Sequence, residues 1–336
     1  MLYSLPTETK IDIFKFLSYA DLCSIKRTNK YFRDFIYEFE GDLALEKFYE
    51  ISIDHFHRIE EYSHKLIKPK AENFNFTLNE QLEEKWENGL EEPIPLYLSM
   101  NSNKNVVIWL SKDYEGQRLY ILLQLPTIIK SKEDIKIVYY FLNKLFNCSF
   151  EYGDFNEFIF NPKLIKLLFG NSKRFFIQKC FLYMDYFGEN KLEVALGYLC
   201  VSGTLTITFH KVTFHEGIEK ATTDYTDNLF KILMKGDKFK EVTLNSNNLQ
   251  KLFDIIINHI EASTLSSKMV ANIELNNTRI NLTGLNERAE KLEDDVDDDD
   301  YLITKYRLSN KSNPKNKYSI LYKEELEELI IKRIYC

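Results

Sequence analysis

The stretch LPTETKIDIFKFLSYADLCSIKRTNKYFRDFIYEF, residues 5–39, decides how the N-terminal part of the chain folds. Pro6 suits the first turn of a helix, where its missing N–H costs no hydrogen bond. Ser18 and Asp21 have the spacing of a capping box for a second helix. Asn29 is typical of the residue that begins a third helix, because its side chain can accept a hydrogen bond from the backbone. The stretch therefore predicts three short helices separated by tight turns.

The first of these helices carries more apolar residues than its own small unit can bury. Five of the seven residues from 11 to 17 are apolar: Ile11, Ile13, Phe14, Phe16 and Leu17. A unit of about 35 residues has too little interior to bury two faces of one helix. We expect one face to pack internally and the remainder to need a partner or the rest of the chain.

The pattern of these residues resembles the F-box motif. The residues that fit it without a gap are Leu5-Pro6-x-Glu8, Ile13, Leu17, Asp21-Leu22, Asn29 and Phe32. The resemblance implies docking on a Skp-family adaptor, which joins the protein to a cullin-based ubiquitin ligase. By family analogy the contact would be made largely by Leu5, Pro6, Ile13, Leu17 and Leu22. The alternative is a helical cap that packs on its own C-terminal domain.

The rest of the chain predicts two further regions. After an F-box domain over residues 1–50, residues 42–70 have the pattern of a continuing helix, so residues 51–100 are expected to form a helical linker. Residues 101–336 alternate between strands and helices, which predicts an α/β substrate-recognition domain and an α+β or α/β chain overall. The clearest elements are strands at 105–110 and 118–125 and a helix at 133–146. This organisation, and the Asn-, Lys- and Phe-rich composition, also resemble the expanded nematode F-box families.

A weak internal repeat begins at about residue 175. Residues 239–249 (FKEVTLNSNNL) match the leucine-rich-repeat pattern L-x-x-L-x-L-x-x-N-x-L at every position, and residues 270–280 match it with Thr278 in place of Asn. Weaker matches begin at Ile177, centre on Leu205 and run through Ile303, Tyr306 and Leu308. The pattern predicts an irregular leucine-rich-repeat-like strand–helix region. The alternative is an ordinary mixed α/β domain with chance matches.

If the repeat interpretation holds, the outward side chains of its strands form one polar face, because strand side chains alternate between the two faces. These residues are Thr206, Thr208, Glu241, Thr243, Asn245, Asn272, Glu274 and Asn276. By resemblance to F-box proteins with repeats, this face would bind a target protein. The alternative for each residue is plain exposure to solvent.

The net charge of −7 is concentrated in one segment. The chain has 51 acidic and 44 basic residues, and seven of the acids lie in residues 293–300 (EDDVDDDD). The remainder is balanced, which argues against a nucleic-acid-binding protein because phosphate contact needs an excess of Lys and Arg. The run lacks the Gly and Glu of a calcium-binding EF-hand loop, since Asp299 and Lys305 occupy those positions. We expect a solvated acidic loop, with recruitment of a basic partner as the alternative.

Composition also excludes several other classes. The longest apolar run is six residues, far below the ~20 of a membrane-spanning helix, and the N-terminus has no secretory pattern. Five cysteines that are never closer than 20 residues suggest a reducing compartment, the cytoplasm or nucleus, and no zinc site. The chain has eleven glycines and none with phosphate-loop spacing, which argues against a nucleotide-dependent enzyme of the common types.

Two smaller groups of residues were weighed as chemical sites. His55, His57 and His64 are close in sequence, but no Cys reinforces them, and surface histidines are expected instead of a metal site. Cys23 and Cys200 have no evident His and Asn arrangement for thiol catalysis. No metal or cofactor is therefore expected.

Together these features predict a non-catalytic substrate-recognition subunit of a Skp–cullin–F-box ubiquitin ligase. Its partners would be the Skp-family adaptor, a cullin through that adaptor, and a target protein of unknown identity, with no nucleic acid and no membrane. One alternative is a non-degradative scaffold that binds the adaptor and a partner protein. Another is an enzyme in the C-terminal domain, for which the sequence shows no converging acids or histidines.

Overall fold

The structure is a computed structural model, and it describes residues 2–39, 43–58, 64–73, 83–84, 93–99, 105–114, 116–184, 188–209, 224–292, 294–296 and 301–334. The N-terminal stretch forms three helices, as its capping residues predict. Ser18 Oγ accepts a hydrogen bond from Asp21 N at 3.2 Å, and Ser18 N donates to the Asp21 carboxylate at 3.1 Å. Asn29 Oδ1 accepts from Phe32 N at 3.0 Å. The helices are α1 (Thr7–Lys15), α2 (Tyr19–Lys26) and α3 (Lys30–Glu38).

The three helices enclose a small core of their own. Its buried members are Phe14, Leu22, Phe35, Ile36 and Leu43. The rings of Phe14 and Phe35 meet edge to face, with their centroids 5.4 Å apart. Because this cluster is separate from the larger core of the chain, the N-terminal unit closes its interior with its own residues.

One large mixed sheet dominates the remainder of the described chain. Fourteen strands form it, and four short strands form two separate pairs. The strands are β1 (Glu46–His55), β2 (His64–Ile67), β3 (Ile94–Pro95), β4 (Tyr97–Leu98), β5 (Val106–Tyr114), β6 (Gln117–Leu123), β7 (Ile128–Ile129), β8 (Cys148–Phe155), β9 (Ile159–Phe160), β10 (Phe175–Met184), β11 (Leu199–Phe209), β12 (Phe239–Asn245), β13 (Asn272–Asn276), β14 (Glu290–Lys291), β15 (Asp295–Val296), β16 (Leu302–Ser309), β17 (Lys317–Lys323) and β18 (Glu328–Ile334).

The centre of the sheet is a run of six parallel strands in the order β1-β8-β10-β11-β12-β13. Antiparallel strands flank it on both sides, β5 beside β1 and β18 beside β13. The strand register aligns the core-facing residues into rows that cross the sheet. One row is Phe48, Phe150, Ile177, Val201 and Phe239; the next is Ile51, Gly153, Cys180, Leu205, Val242 and Ile273.

Helices cover the face of the sheet that these rows form. Their apolar side chains and the core-facing strand residues belong to one buried cluster. The helices are α4 (Lys132–Phe146), α5 (Pro162–Phe169), α6 (Gly188–Tyr198), α7 (Thr226–Leu233), α8 (Gln250–Ala262) and α9 (Thr283–Asn286). We call the opposite face of the six parallel strands the open face. The strands predicted at 105–110 and 118–125 and the helix at 133–146 are confirmed as β5, β6 and α4.

The prediction of a helix over residues 42–70, and of a helical linker over residues 51–100, is wrong for the described residues. Residues 46–55 form β1 instead, with Ile51 and Ile53 buried against the helices. The strand pairs with β5 on one side and with β8, about 100 residues later, on the other. Nonlocal pairing of this kind overrides local helix preference.

The repeat-like region has the parallel strands and intervening helices that the pattern predicts, but not throughout. The match through Ile303 is wrong as a parallel unit, because β16 pairs antiparallel with β17. The weaker matches also extend into residues 185–187 and 210–223, which lie outside the described residues. Asn247 is exposed, whereas buried Thr278, at the corresponding position, accepts a hydrogen bond from Leu249 N at 3.4 Å. The leucine-rich-repeat assignment itself stays a prediction.

The structure also bears on the membrane question. Within the described ranges, no helix combines the length and the apolar character that crossing a membrane requires.

Candidate functional site

The eight polar residues predicted to share a face lie side by side on β11, β12 and β13. Their register places Thr206 opposite Thr243 and Thr243 opposite Glu274. One cross-strand row beyond, Thr208, Asn245 and Asn276 are aligned in the same way. Toward the other end of the strands, Glu241 pairs with Asn272. The predicted face is therefore a contiguous patch in the structure.

Hydrogen bonds join five of these eight residues into one chain across the three strands. Asn245 Nδ2 donates to Thr208 Oγ1 at 3.0 Å, and Asn276 Nδ2 donates to Asn245 Oδ1 at 3.2 Å. Asn276 Nδ2 also donates to Glu274 Oε1 at 3.2 Å, while Thr243 Oγ1 donates to Glu274 Oε2 at 3.0 Å. The side chains are thus held in fixed positions, which lowers the entropy cost of binding a partner.

The open face continues onto strands where the sequence did not predict it. The residues that extend it are Glu50, Ser52 and Asp54 on β1, Tyr152 and Asp154 on β8, and Phe181 and Tyr183 on β10. Phe181 lies opposite Asp154 on one side and Thr206 on the other. We call the line Asp154, Phe181, Thr206, Thr243 and Glu274 the middle row. The signal for these residues was the apolar spacing Phe48-x-x-Ile51-x-Ile53, which repeats the pattern of β12.

Carboxylates on β1 and β8 influence one another. Burial raises the pKa of Asp154 above its usual range, and the neighbouring Asp54 carboxylate raises it further, while the Lys191 ammonium opposes both. Lys191 on α6 is fully buried, and its Nζ donates to the carbonyl oxygens of Asn156 and Tyr183. Burial, and then Asp154, likewise raise the pKa of Glu50. This part of the open face is therefore a place where additional positive charge would be favourable.

The N-terminal unit presents a different surface, which is apolar. Phe14 on α1 points into the core, whereas Ile13 on α1 is 37% exposed and Phe16, the residue that caps the end of α1, is 91% exposed. Tyr3 and Tyr31 add exposed aromatic surface to the same unit. An isolated exposed apolar residue is ordinary, but several large ones on a unit of this size indicate a contact surface.

Comparison with known families identifies this unit. Residues 2–39 match the F-box-like family. They form an F-box-like domain. This confirms the resemblance drawn from the sequence for this part of the chain. Residues 67–210 match a domain of unknown function (DUF8381), so the match begins at the end of β2 and stops before β12. None of the curated proteins and none of the solved structures matches the chain.

The five residues predicted to contact an adaptor do not all reach the surface of the F-box-like domain. Pro6 and Ile13 are exposed, and Leu5 and Leu17 are half-buried. Leu22 is 2% exposed and packs in the core of the domain, and its contact with an adaptor, like that of the other four residues, stays a prediction. Phe16, to which the sequence assigned no role, is the most exposed of the large apolar residues of the domain whose side chains the structure describes.

Histidines and cysteines lie in several separate surroundings in the structure. His55 and His57 lie with ring centroids 5.3 Å apart, and His55 packs edge-on against Phe158. In the part of the chain that the structure describes, no three His, Cys, Asp or Glu side chains are grouped to hold a metal. Cys200 lines an open cleft of about 460 Å³ beside β1 and β8, but burial raises the pKa of its thiol, which is opposite to what a nucleophile needs.

The acidic run is only partly described. Residue 293 and residues 297–300 lie outside the described residues. Asp294 forms an ion pair with Lys291 at 3.1 Å, and Asp295 forms one with Lys305 at 2.5 Å. The Lys305 contact holds the pKa of Asp295 below its usual range. Both described acids of the run are thus paired locally.

Proposed function

We propose that this chain is a substrate-recognition subunit of a Skp–cullin–F-box ubiquitin ligase, acting in the cytoplasm or nucleus. The F-box-like domain would dock on a Skp-family adaptor and through it reach a cullin. The C-terminal sheet would bind a target protein on its open face, in a leucine-rich-repeat-like manner. The observation that carries the proposal is the family match of residues 2–39 together with the exposed apolar surface of α1.

The two sides of α1 support docking. Phe14 already completes the core of the F-box-like domain, so that core does not need Phe16 or Ile13. Covering an exposed side chain of this size with a partner contributes about 1.5–3 kcal/mol. The apolar side of α1 is therefore available to an adaptor without unfolding the domain.

The subunit itself would do no covalent chemistry. Holding a target beside a conjugating enzyme raises the effective concentration of its lysines, and this proximity accelerates transfer without a catalytic group on the receptor. The open face suits such a role, because its hydrogen-bonded side chains present a fixed polar surface while the core lies on the other side of the sheet.

Adaptor docking is tested with the full chain and a purified Skp-family adaptor. Phe16→Asp and Ile13→Asp should each weaken binding about tenfold or more in calorimetric titration, because a charge would enter an apolar contact. Leu265→Asp, at a half-exposed leucine of the C-terminal region, is the matched control and should bind as the unaltered chain does. Circular dichroism checks that each variant is folded. A folded Phe16→Asp protein with unchanged affinity would refute docking through this side of α1.

Target binding is tested in cells by affinity purification with and without proteasome inhibition. If the chain is a substrate receptor, at least one co-purified partner should become more abundant when the proteasome is inhibited. Ubiquitylation of that partner should be lost in cells that carry the Phe16→Asp variant. A partner set that inhibition does not change would instead identify the non-degradative scaffold.

A further inference from the structure

Charged residues of the open face lie in the middle row and on both sides of it: Glu50, Lys179 and Glu241 are one pair toward the amino ends of the strands, and Asp54 is one pair toward the carboxyl ends. The middle row carries Asp154 and Glu274 at its two ends, and Asp54 lies near the first of them. Lys179, which projects beside Tyr152, lies one pair closer to the amino ends of the strands. Among the described outward residues of the middle row there is no lysine or arginine.

The distance between the two acidic ends follows from the strand order. Asp154 is on β8 and Glu274 on β13, and four strand spacings separate them. At about 4.8 Å per spacing the two carboxylates are about 19 Å apart. An extended peptide advances about 3.3 Å per residue, so about six residues would span the row.

The residues between the two ends favour an extended polypeptide. Thr206 offers a hydroxyl group in the middle of the row, whereas Thr243 is buried and its hydroxyl donates to Glu274. The Asn245 and Asn276 amides lie in the next row toward the carboxyl ends of the strands. Phe181 is next to Asp154, so a guanidinium group that pairs with this carboxylate could also stack on the ring. Glu274 is held in place at the other end by Thr243 and Asn276.

Hydrogen-bond acceptors that lack a donor on the open face also favour a basic partner. Asp154 Oδ1, Asn272 Oδ1 and Asn276 Oδ1 are buried without a hydrogen-bond donor among the described residues. All three are acceptors, and Lys, Arg and backbone N–H groups are donors. A partner rich in donors complements this surface better than an acidic one.

We propose that the middle row binds an extended segment of a partner protein that carries two basic side chains about six residues apart, with arginine preferred at the Asp154 end. The inference rests on the proposed function, because it names the kind of target that the open face would take. It assigns Asp154 and Glu274 as the residues that select the segment, and Phe181 as the ring that favours arginine.

The test uses the full chain and labelled synthetic peptides in fluorescence anisotropy titrations. One peptide has two arginines separated by five Gly and Ser residues, a second has them adjacent, and a third has glutamates in place of the arginines. The spaced peptide should bind most tightly, and binding should weaken as NaCl is raised, because salt screens exposed charge pairs. Preference for the glutamate peptide, or no binding of either arginine peptide, would overturn the inference.

Variants that neutralise the carboxylates of the middle row test whether the peptide binds there. The double variant Asp154→Asn with Glu274→Gln should bind the spaced peptide about fivefold more weakly, and Glu274→Gln alone about twofold, from the usual strength of exposed ion pairs. Glu193→Gln with Asp227→Asn removes the same charge from exposed positions on α6 and α7 and should leave affinity unchanged. Circular dichroism checks the fold of each variant. Equal loss in both double variants would show a bulk charge effect and would contradict the assignment.

The outcome is separable from the proposed function. Adaptor titration with the same preparations reports on the F-box-like domain alone. A cellular target that protects β11–β13 from hydrogen exchange, in a chain that binds no basic peptide, would overturn the basic-segment inference and leave target binding by the open face standing. Loss of adaptor binding together with intact peptide binding would overturn docking by the F-box-like domain and leave the basic-segment inference standing.

Discussion

Gly203 allows β11 to fit between its two neighbours, and replacing it with alanine should destabilise the sheet. Four steps separate Val201 and Leu205 on β11, whereas three separate the residues that pair with them on β10 and on β12. The extra residue is accommodated between Val201 and Thr204, in the bulge that contains Gly203. A Cβ atom there would lie 2.7 Å from Gln178 O, a backbone atom of β10. Since a strand backbone cannot rotate away as a side chain can, Gly203→Ala would push β10 and β11 apart.

The expected cost is that of overpacking, about 1–3 kcal/mol. For a chain of this size the urea dependence of unfolding is about 3 kcal/mol per molar. The unfolding midpoint of Gly203→Ala should therefore fall by about 0.3–1 M urea. Far-ultraviolet circular dichroism of the full chain measures this midpoint, because the sheet supplies much of the signal.

Gly197→Ala is a control variant that should stabilise the protein instead of destabilising it. Gly197 lies in α6, and nothing is within 4 Å of the Cβ that alanine would add. Alanine restricts the unfolded chain more than glycine, so this variant should be more stable by about 0.5–1 kcal/mol. If Gly203→Ala kept or raised the midpoint while Gly197→Ala behaved as expected, the bulge would not need glycine and the reasoning would fail.

Two further perturbations test the cores and a buried charge. Leu22→Ala should cost about 2–5 kcal/mol and speed tryptic cleavage within residues 2–39 without moving the urea midpoint of the sheet, whereas unchanged cleavage would contradict a core role. Glu261 accepts hydrogen bonds from Lys311 and Arg288, and these contacts lower its pKa from the usual 4.5. The ionised carboxylate therefore stabilises the folded chain above about pH 4.5. This contribution to stability is lost as the pH falls toward the lowered pKa of the folded state. The difference in unfolding free energy between the unaltered chain and Glu261→Gln should therefore shrink below about pH 4.5, and a gap that widens there would refute the pairing.

The F-box-like helices could be predicted because their determinants are local. The Ser18–Asp21 capping box and the Asn29 cap each act within four residues, and the structure has both. Surface exposure within the domain was harder to predict. Leu22 and Phe16 are both apolar residues of the motif region, and only packing decides that the first is buried and the second exposed.

The open face was predicted on three strands and missed on three others for physical reasons. On β10 a cysteine, Cys180, occupies the core position where β12 has Val242, which weakens the apolar pattern. On β8 the core position is occupied by Gly153, whose small size leaves room for Ile177 but removes the apolar signal. Residues 46–55 are rich in charges, and their partners lie far along the chain, so their strand pattern was mistaken for a helix.

The position of β1 has a consequence for how the protein is made. β1 is complete early in synthesis, but β8, its parallel neighbour, emerges about 100 residues later. At a synthesis rate of about 5–20 residues per second, one edge of β1 stays unpaired for about 5–20 s. During this time β5 and β6 can pair on its other side as a meander. Unpaired strand edges promote association between chains. The nascent chain thus passes through an interval in which its helical N-terminus can already be folded while half of its sheet is still open.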